Sequence, residues 1–263
     1  MNLNLKGRNA IVCGSTQGLG LASAVELALL GANVILMARN EEKLKSVVKT
    51  LSLGEGQEHG YIVADFQYPD QVKKAIANFL KITGSKVQIL VNNSGGPKGG
   101  PALSASPSEF IDAFNAHLIA NHILVQALVD GMKEAGYGRI VNIISTSVKQ
   151  PLADLGVSNT TRGAVANWSK TLATELGPFG ITVNNVLPGF TRTSRFDYVV
   201  KIKAEKNGIT EEEIEKQMIA TIPVRRIAEP EEFGAAVAFL CTPAAGYING
   251  INLPVDGGRL GTL

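Results

Sequence analysis

A glycine-rich segment near the start of the chain has the spacing of a phosphate-binding turn. Three glycines stand in Cys13-Gly14-Ser15-Thr16-Gln17-Gly18-Leu19-Gly20, after an apolar run and at the start of a helical pattern. Glycine permits a tight turn and lets backbone N–H groups approach a pyrophosphate. The pattern predicts a dinucleotide cradle; the alternative is an ordinary strand–helix turn. The predicted cradle residues are Gly14, Ser15, Thr16, Gln17, Gly18, Leu19 and Gly20.

The end of the second apolar run selects between the two nicotinamide dinucleotides. An acidic side chain at this point would bind the adenosine ribose hydroxyls and repel a 2′-phosphate. The chain has Ala38-Arg39-Asn40 instead, and a guanidinium suits a phosphate. The sequence therefore favours NADP(H) over NAD(H), with Arg39 and Asn40 at the adenosine end. The alternative for Arg39 is a solvated surface cation.

The elements that must position these residues alternate between buried strands and helices. This pattern predicts an α/β fold, a Rossmann-type doubly wound parallel sheet with helices on both faces, as a single domain over residues 1–263. Residues 191–222 form an insertion after the sixth strand, where ligands of such sheets bind. The predicted strands are residues 9–13, 33–38, 61–65, 87–92, 139–145, 182–187 and 251–255. The predicted helices are residues 19–30, 41–51, 69–80, 108–134, 158–176, 210–220 and 231–240.

Composition excludes several classes of protein. The chain has 263 residues with 45% apolar and 18% charged side chains, as expected of a folded soluble protein. A net charge of +2 argues against nucleic acid or an acidic membrane as a general partner. No apolar stretch is long enough to span a bilayer, and the first residues have no signal-peptide pattern. Cys13 and Cys241 make neither a disulfide framework nor a metal site, so we expect buried thiols and a cytoplasmic location.

Further motifs follow the ends of other predicted strands. They are Asp65 after the third, Asn92-Asn93-Ser94-Gly95 after the fourth, Pro188-Gly189-Phe190-Thr191-Arg192-Thr193 after the sixth, and Pro254-Val255-Asp256-Gly257-Gly258 at the last. Together with the glycine segment they resemble the short-chain dehydrogenase/reductase family, in its acyl-carrier-protein-reductase-like branch. The resemblance runs over residues 5–258.

The resemblance implies roles for these residues around the cofactor. Asp65 would bind the adenine amino group, and Thr193 would hold the nicotinamide carboxamide with backbone from Phe190. The remaining residues implied at the cofactor are Ala64, Asn92, Asn93, Ser94, Gly95, Arg162, Pro188, Gly189 and Thr191.

Most of the catalytic residues that the resemblance implies are replaced in this chain. Typical members of the family have Tyr-x-x-x-Lys, a preceding Ser and a helix Asn, and these positions hold Ser158, Arg162, Ser145 and His117 here. A Ser hydroxyl is a far weaker acid than a phenol, and an Arg stays charged and cannot shuttle a proton. Arg162 is suited to ribose hydroxyls or an anionic substrate. The proton donor is therefore replaced, supplied by water, or absent.

Two other side chains are alternatives for the proton donor. His117 is one candidate because an imidazole titrates near neutrality, although a histidine within a helix is more often structural. Tyr198 lies in the insertion, where a surface position is the simpler expectation.

Four cations are expected around the pocket mouth. Lys98 follows the fourth strand, and Arg162, Arg192 and Arg195 lie at strand-end or loop positions. Their convergence would suit an anionic substrate or a phosphopantetheine carrier. The alternative is that they face solvent or pair with nearby acids.

Three functions are therefore open. The first is an NADP(H)-dependent carbonyl/alcohol oxidoreductase with a small-molecule or acyl-carrier-bound substrate, such as a 3-oxoacyl thioester. The second is a catalytically silent NADP(H)-binding scaffold or redox sensor, and the third is a non-redox lyase or epimerase on the same fold. The late helix and last strand resemble the family's oligomer surfaces, which favours a homotetramer over a dimer, although the Phe233, Val237 and Phe239 pattern also suits a core.

Overall fold

Seven parallel strands form one sheet, in the order β3-β2-β1-β4-β5-β6-β7. The structure is a computed structural model that describes residues 1–262. The strand order reverses between β1 and β4, which opens a crevice at the carboxyl ends of these strands. The strands are β1 Asn9–Cys13, β2 Asn33–Ala38, β3 Gly60–Val63, β4 Ile89–Asn92, β5 Gly138–Ile143, β6 Ile181–Pro188 and β7 Asn252–Val255.

Helices cover both faces of the sheet, as the sequence predicts. Apolar side chains of α1, α2 and α9 pack on one face, and those of α3, α5 and α6 pack on the other. No helix within residues 1–262 is long and apolar enough to cross a lipid bilayer. The helices are α1 Gly18–Leu29, α2 Glu41–Val48, α3 Pro69–Thr83, α4 Pro107–Phe114, α5 Ala120–Glu134, α6 Gly156–Leu176, α7 Ser194–Asn207, α8 Glu211–Ala220 and α9 Pro230–Leu240.

Two helical features differ from the sequence prediction. The single helix expected over residues 108–134 is interrupted by a π-helical turn, Asn115–Ile119, which separates α4 from α5. The insertion contains α7 in addition to the expected α8. These two helices pack on each other around a small core of their own, so the insertion is an ordered helical pair.

The two cysteines are buried and free, as predicted. Burial raises the pKa of each thiol to about 12, so both stay protonated and behave as small apolar side chains. Phe233 and Val237 of α9 are also fully buried. Their apolar pattern therefore belongs to the core of the chain itself, which was one of the two interpretations open from the sequence.

A ladder of asparagines crosses the sheet on the side covered by α5 and α6. Asn92 donates through Nδ2 to Oδ1 of Asn142 at 2.8 Å, and Asn142 donates to Oδ1 of Asn185 at 3.1 Å and to Ser169 Oγ at 2.9 Å. Asn185 continues the series to Oδ1 of Asn252 at 2.8 Å. These residues are direct neighbours in the strand register. Asn92, Asn142 and Asn185 are buried and Asn252 is exposed at the edge, and buried paired amides of this kind fix the relative positions of the strands whose ends form the site.

Candidate active site

The glycine segment forms a tight turn from β1 into α1. Gly14 and Gly18 have φ of +57° and +56°, in the left-handed region that favours glycine. Nδ2 of Asn93 donates to the carbonyl oxygens of Cys13 and Gly14 at 3.3 and 3.1 Å. A Cβ on Gly20 would overlap the carbonyl of Gly14. The predicted cradle therefore has the backbone conformation that its glycines require, and Asn93 braces it from the neighbouring strand.

The first turn of α1 leaves its N–H groups available. Gln17 is the N-cap but its side chain makes no capping hydrogen bond, and no acidic residue stands in the first turn. An uncapped helix N-terminus next to a glycine turn fits the pyrophosphate of a dinucleotide. Thr16 and Leu19 are partly exposed beside it. Ser15 differs, because it is fully buried and its Oγ accepts a hydrogen bond from the Met37 amide at 3.1 Å.

Arg39 and Asp65 face each other at the adenosine side of the crevice. Their charged groups are 3.8 Å apart, and the Arg39 side chain is 76% exposed. Oδ1 of Asp65 accepts from the Gln67 amide, and the Asn40 side chain caps α2 by accepting from the Lys43 amide. The guanidinium is therefore loosely held and accessible, which fits a 2′-phosphate at this end of the crevice.

The residues after β4 make hydrogen bonds within the protein that their sequence pattern does not indicate. Asn92 belongs to the asparagine ladder, and its Oδ1 is buried with no partner. Ser94 donates to the carbonyl of Ala116 at 3.2 Å and lies 2.5 Å from Nδ1 of His117. Gly95 is exposed at the start of the following loop.

His117 lies in the π-helical turn and is almost fully buried. Burial, and to a lesser extent the nearby positive charge of Arg162, lowers the pKa of this imidazole to about 2. The ring is therefore neutral, and the expectation that it titrates near neutrality is wrong. The Ser94 hydroxyl lies within hydrogen-bond distance of both the Ala116 carbonyl and Nδ1 of His117, so it ties the segment after β4 to the π-helical turn.

Ser145 lies just after β5, and Ser158 and Arg162 lie on the first turns of α6. Ser145 follows β5 and accepts from the Ser147 amide at 3.0 Å, while Ser158 and Arg162 are one turn apart on α6. Nη1 of Arg162 donates to the carbonyl of Ile143 at 3.2 Å, at the last residue of β5. The helix α6 packs against both the Thr146–Val148 turn and the π-helical turn. Sequence reasoning missed Ser147, whose buried Oγ has no partner.

The segment after β6 leads into the helical insertion. Thr193 is the N-cap of α7, where its Oγ1 accepts from the Phe196 amide. A Cβ on Gly18 would lie 3.5 Å from the Thr193 methyl, so Thr193 adjoins the glycine cradle. Thr191 is buried with an unpartnered Oγ1. Phe190 stacks under Arg259, and Gly189 donates its amide to the carbonyl of Val255, after Pro188 has ended β6.

The four cations expected around the pocket mouth have different surroundings in the structure. Arg192 makes a two-pronged ion pair with Glu215 of α8, at 3.1 and 2.7 Å, because the insertion folds back on itself. Arg195 is exposed and lies over the ring of Tyr198. Lys98 is exposed in the loop after β4, and Arg162 is buried. For Arg192 the structure therefore shows the alternative that the sequence left open, which is pairing with a nearby acid.

Comparison with known proteins agrees with this arrangement. Residues 14–259 match the family profile described as enoyl-(acyl carrier protein) reductase. The NADPH-dependent reductase BacG of Bacillus subtilis is 31% identical, over 96% of this chain and 98% of its own. The 3-oxoacyl-acyl-carrier-protein reductase FabG of Pseudomonas aeruginosa is 31% identical, over 97% of this chain and 98% of its own.

The fold is also similar to that of a solved reductase structure. The L-sorbose reductase of Gluconobacter frateurii, complexed with NADPH and L-sorbose, superposes with a TM-score of 0.93 at 31% identity, over all of both chains. The sheet order, the strand-end motifs and these similarities agree that the chain belongs to the short-chain dehydrogenase/reductase family, within its 3-oxoacyl-reductase-like branch.

Proposed function

We propose that the chain is an NADP(H)-dependent reductase that interconverts a carbonyl and an alcohol. The observation that carries the proposal is the position of two groups at one edge of one sheet. These groups are the open N-terminus of α1 with its glycine turn, and Ser145 and Arg162 at the end of β5, with Ser158 one turn before Arg162 on α6. NADPH-dependent relatives and the accessible Arg39 support NADP(H) as the cofactor.

Ser145, Ser158 and Arg162 would each have a separate role in carbonyl reduction. When bound, the reduced nicotinamide supplies a hydride to the carbonyl carbon. Ser145 would orient the carbonyl oxygen, and Arg162 would hold the nicotinamide ribose. The proton that completes the alcohol would come from Ser158 or from water that it binds, because buried His117 is neutral and has no imidazolium proton to give near neutral pH.

The substrate class and cellular setting are part of the same proposal. A small ketone or a 3-oxoacyl thioester fits the relatives, whose names include a 3-oxoacyl reductase and a sugar reductase. Pairing of Arg192 with Glu215 weakens the case for a strongly anionic substrate. The buried free thiols suit the reducing cytoplasm, and we propose a homo-oligomer as the working form.

A cofactor titration followed by a substrate panel tests the proposal. NADPH and NADH are titrated into the purified protein, and each complex is offered β-ketoacyl thioesters, quinones, small ketones and keto sugars. We expect tighter binding of NADPH and its oxidation by at least one member of the panel. Binding without turnover would favour the sensor, and failure of both nucleotides to bind would overturn the proposal.

A further inference from the structure

Arg162 is a buried cation without an acidic partner. The residue is 8% exposed, and its side chain makes one hydrogen bond, to the carbonyl of Ile143. No carboxylate within residues 1–262 forms an ion pair with it or shifts its pKa, which burial alone lowers to about 10. The guanidinium therefore keeps its charge at neutral pH. A buried charge that is not compensated by the protein acts strongly on any charge that enters its surroundings.

The elements packed around Arg162 supply no compensating charge. His117, on the π-helical turn, is neutral, because burial chiefly, and the positive charge of Arg162 to a lesser extent, lowers the pKa of its imidazole. The turn after β5 contributes the buried hydroxyls of Thr146 and Ser147, and β5 contributes a backbone carbonyl. The positive charge is therefore a fixed property of the pocket.

The nicotinamide end of a bound dinucleotide falls on this side of the sheet. The cradle lies at β1 and Arg39 at the end of β2, so the adenosine half occupies the β2 side of the crevice. The other half must run over β4 and β5, beyond the reversal of strand order. Oxidised nicotinamide carries a positive charge and reduced nicotinamide is neutral, whereas the adenosine phosphates are the same in both.

We propose that Arg162 makes the site select the redox state of its cofactor, so that NADPH binds more tightly than NADP⁺. The inference rests on the proposed function. A positive ring near a poorly screened guanidinium should lose affinity on the order of 10-fold to 50-fold. The site would then fill with NADPH when both forms are present and release NADP⁺ readily after turnover, which suits the direction of carbonyl reduction.

Dissociation constants for NADPH and NADP⁺ test the inference without any substrate. They are measured by calorimetry in one buffer for the wild type, Arg162→Met and Arg162→Lys. We expect NADPH to be preferred about tenfold or more in the wild type and in Arg162→Lys. In Arg162→Met the preference should fall to within about twofold of equality, because both nucleotides lose the ribose contact but only NADP⁺ is relieved of the charge repulsion.

Arg39→Met is the matched control, because it removes a cation at the adenosine end. It should weaken both nucleotides by the same factor and leave their ratio unchanged. Equal binding of the two forms to the wild type overturns the inference alone, as does an unchanged ratio in Arg162→Met. Failure of both nucleotides to bind the wild type overturns the proposed function and this inference together. If Arg162→Met does not fold, the inference is tested by the ratio of the two dissociation constants in the wild type and in Arg162→Gln.

Discussion

Individual residues around the cradle are fixed by close backbone contacts. Gly20 stands where a side chain would overlap the Gly14 carbonyl, and Asn93 holds the same carbonyl from the adjacent strand. The glycine spacing was predictable from the sequence, because glycine is required wherever such a turn forms. The bracing by Asn93 was not, because it joins residues 79 positions apart.

Substitution of Gly20 should therefore damage both the fold and the cofactor site. We expect Gly20→Ala to lower the unfolding free energy by about 1–3 kcal/mol and to weaken NADPH binding at least tenfold, since the turn must shift to admit the methyl group. Gly163→Ala is the control, because that helical position has open space around it. It should leave binding unchanged and stabilise the protein by up to about 1 kcal/mol. Urea unfolding and NADPH titration measure both effects, and similar losses in the two variants would contradict the account.

His117 should make stability depend on pH. The pKa of its imidazole is about 2 in the folded protein and 6.5 as an ordinary value, so below pH 6.5 the unfolded chain takes up a proton that the folded chain does not. Stability is therefore lost as the pH falls, at up to about 1.4 kcal/mol per pH unit. Between pH 7.5 and 5.0 the wild type should lose about 2 kcal/mol more than His117→Gln. Urea unfolding at both pH values measures this difference, and parallel losses would show that His117 is not the cause.

At the scale of elements, the sheet followed from the sequence more fully than the helices of the insertion. The bounds of β1 and β2 were predicted, because their apolar runs are set off by polar residues and glycine. The helix α7 was missed because most of its residues are polar, although Phe196, Val200 and Ala204 recur at helical spacing and face its small core. The π-helical turn was missed because an extra residue in a turn is fixed by packing against α6, which periodicity does not record.

In the candidate site too, features set by local sequence pattern were predictable and features set by tertiary contacts were not. Motifs at strand ends could be grouped in advance, because the carboxyl ends of parallel strands share one edge. The partners of those residues depend on tertiary contacts. Ser94 with His117 and Arg192 with Glu215 join separate elements, and no local pattern links their positions.

The pairing of α8 with the start of the insertion gives a prediction for Arg192. Its side chain is 43% exposed and that of Glu215 is 31% exposed, so solvent screens the pair in part. We expect a double-mutant cycle of Arg192→Met and Glu215→Gln to give a coupling of about 0.5–1 kcal/mol in unfolding free energy. Both single variants should change KM for an acidic substrate in the same direction, by loosening the insertion. If Arg192 bound a substrate anion directly, Arg192→Met would raise that KM and Glu215→Gln would lower it.

At the scale of the whole molecule, the proposed oligomer needs a contact surface between copies of the chain. Phe233 and Val237 of α9 face inward, whereas Phe239 is only partly buried, and an oligomer surface on α9 and β7 stays a prediction. Tyr247, between α9 and β7, is instead fully exposed. A large exposed aromatic side chain at this position fits contact with a second copy of the chain, since such residues concentrate at protein interfaces.

Light scattering coupled to size-exclusion chromatography should therefore find four chains per particle in the wild type. Tyr247→Ser should weaken association and give dimers or monomers on dilution, because it removes apolar area that the contact buries. Tyr198→Ser is the matched control, since that tyrosine is also exposed but lies on α7. A monomeric wild type would refute the oligomer itself. A tetramer that is equally stable in both variants would move the contact away from Tyr247, to another exposed face of the chain.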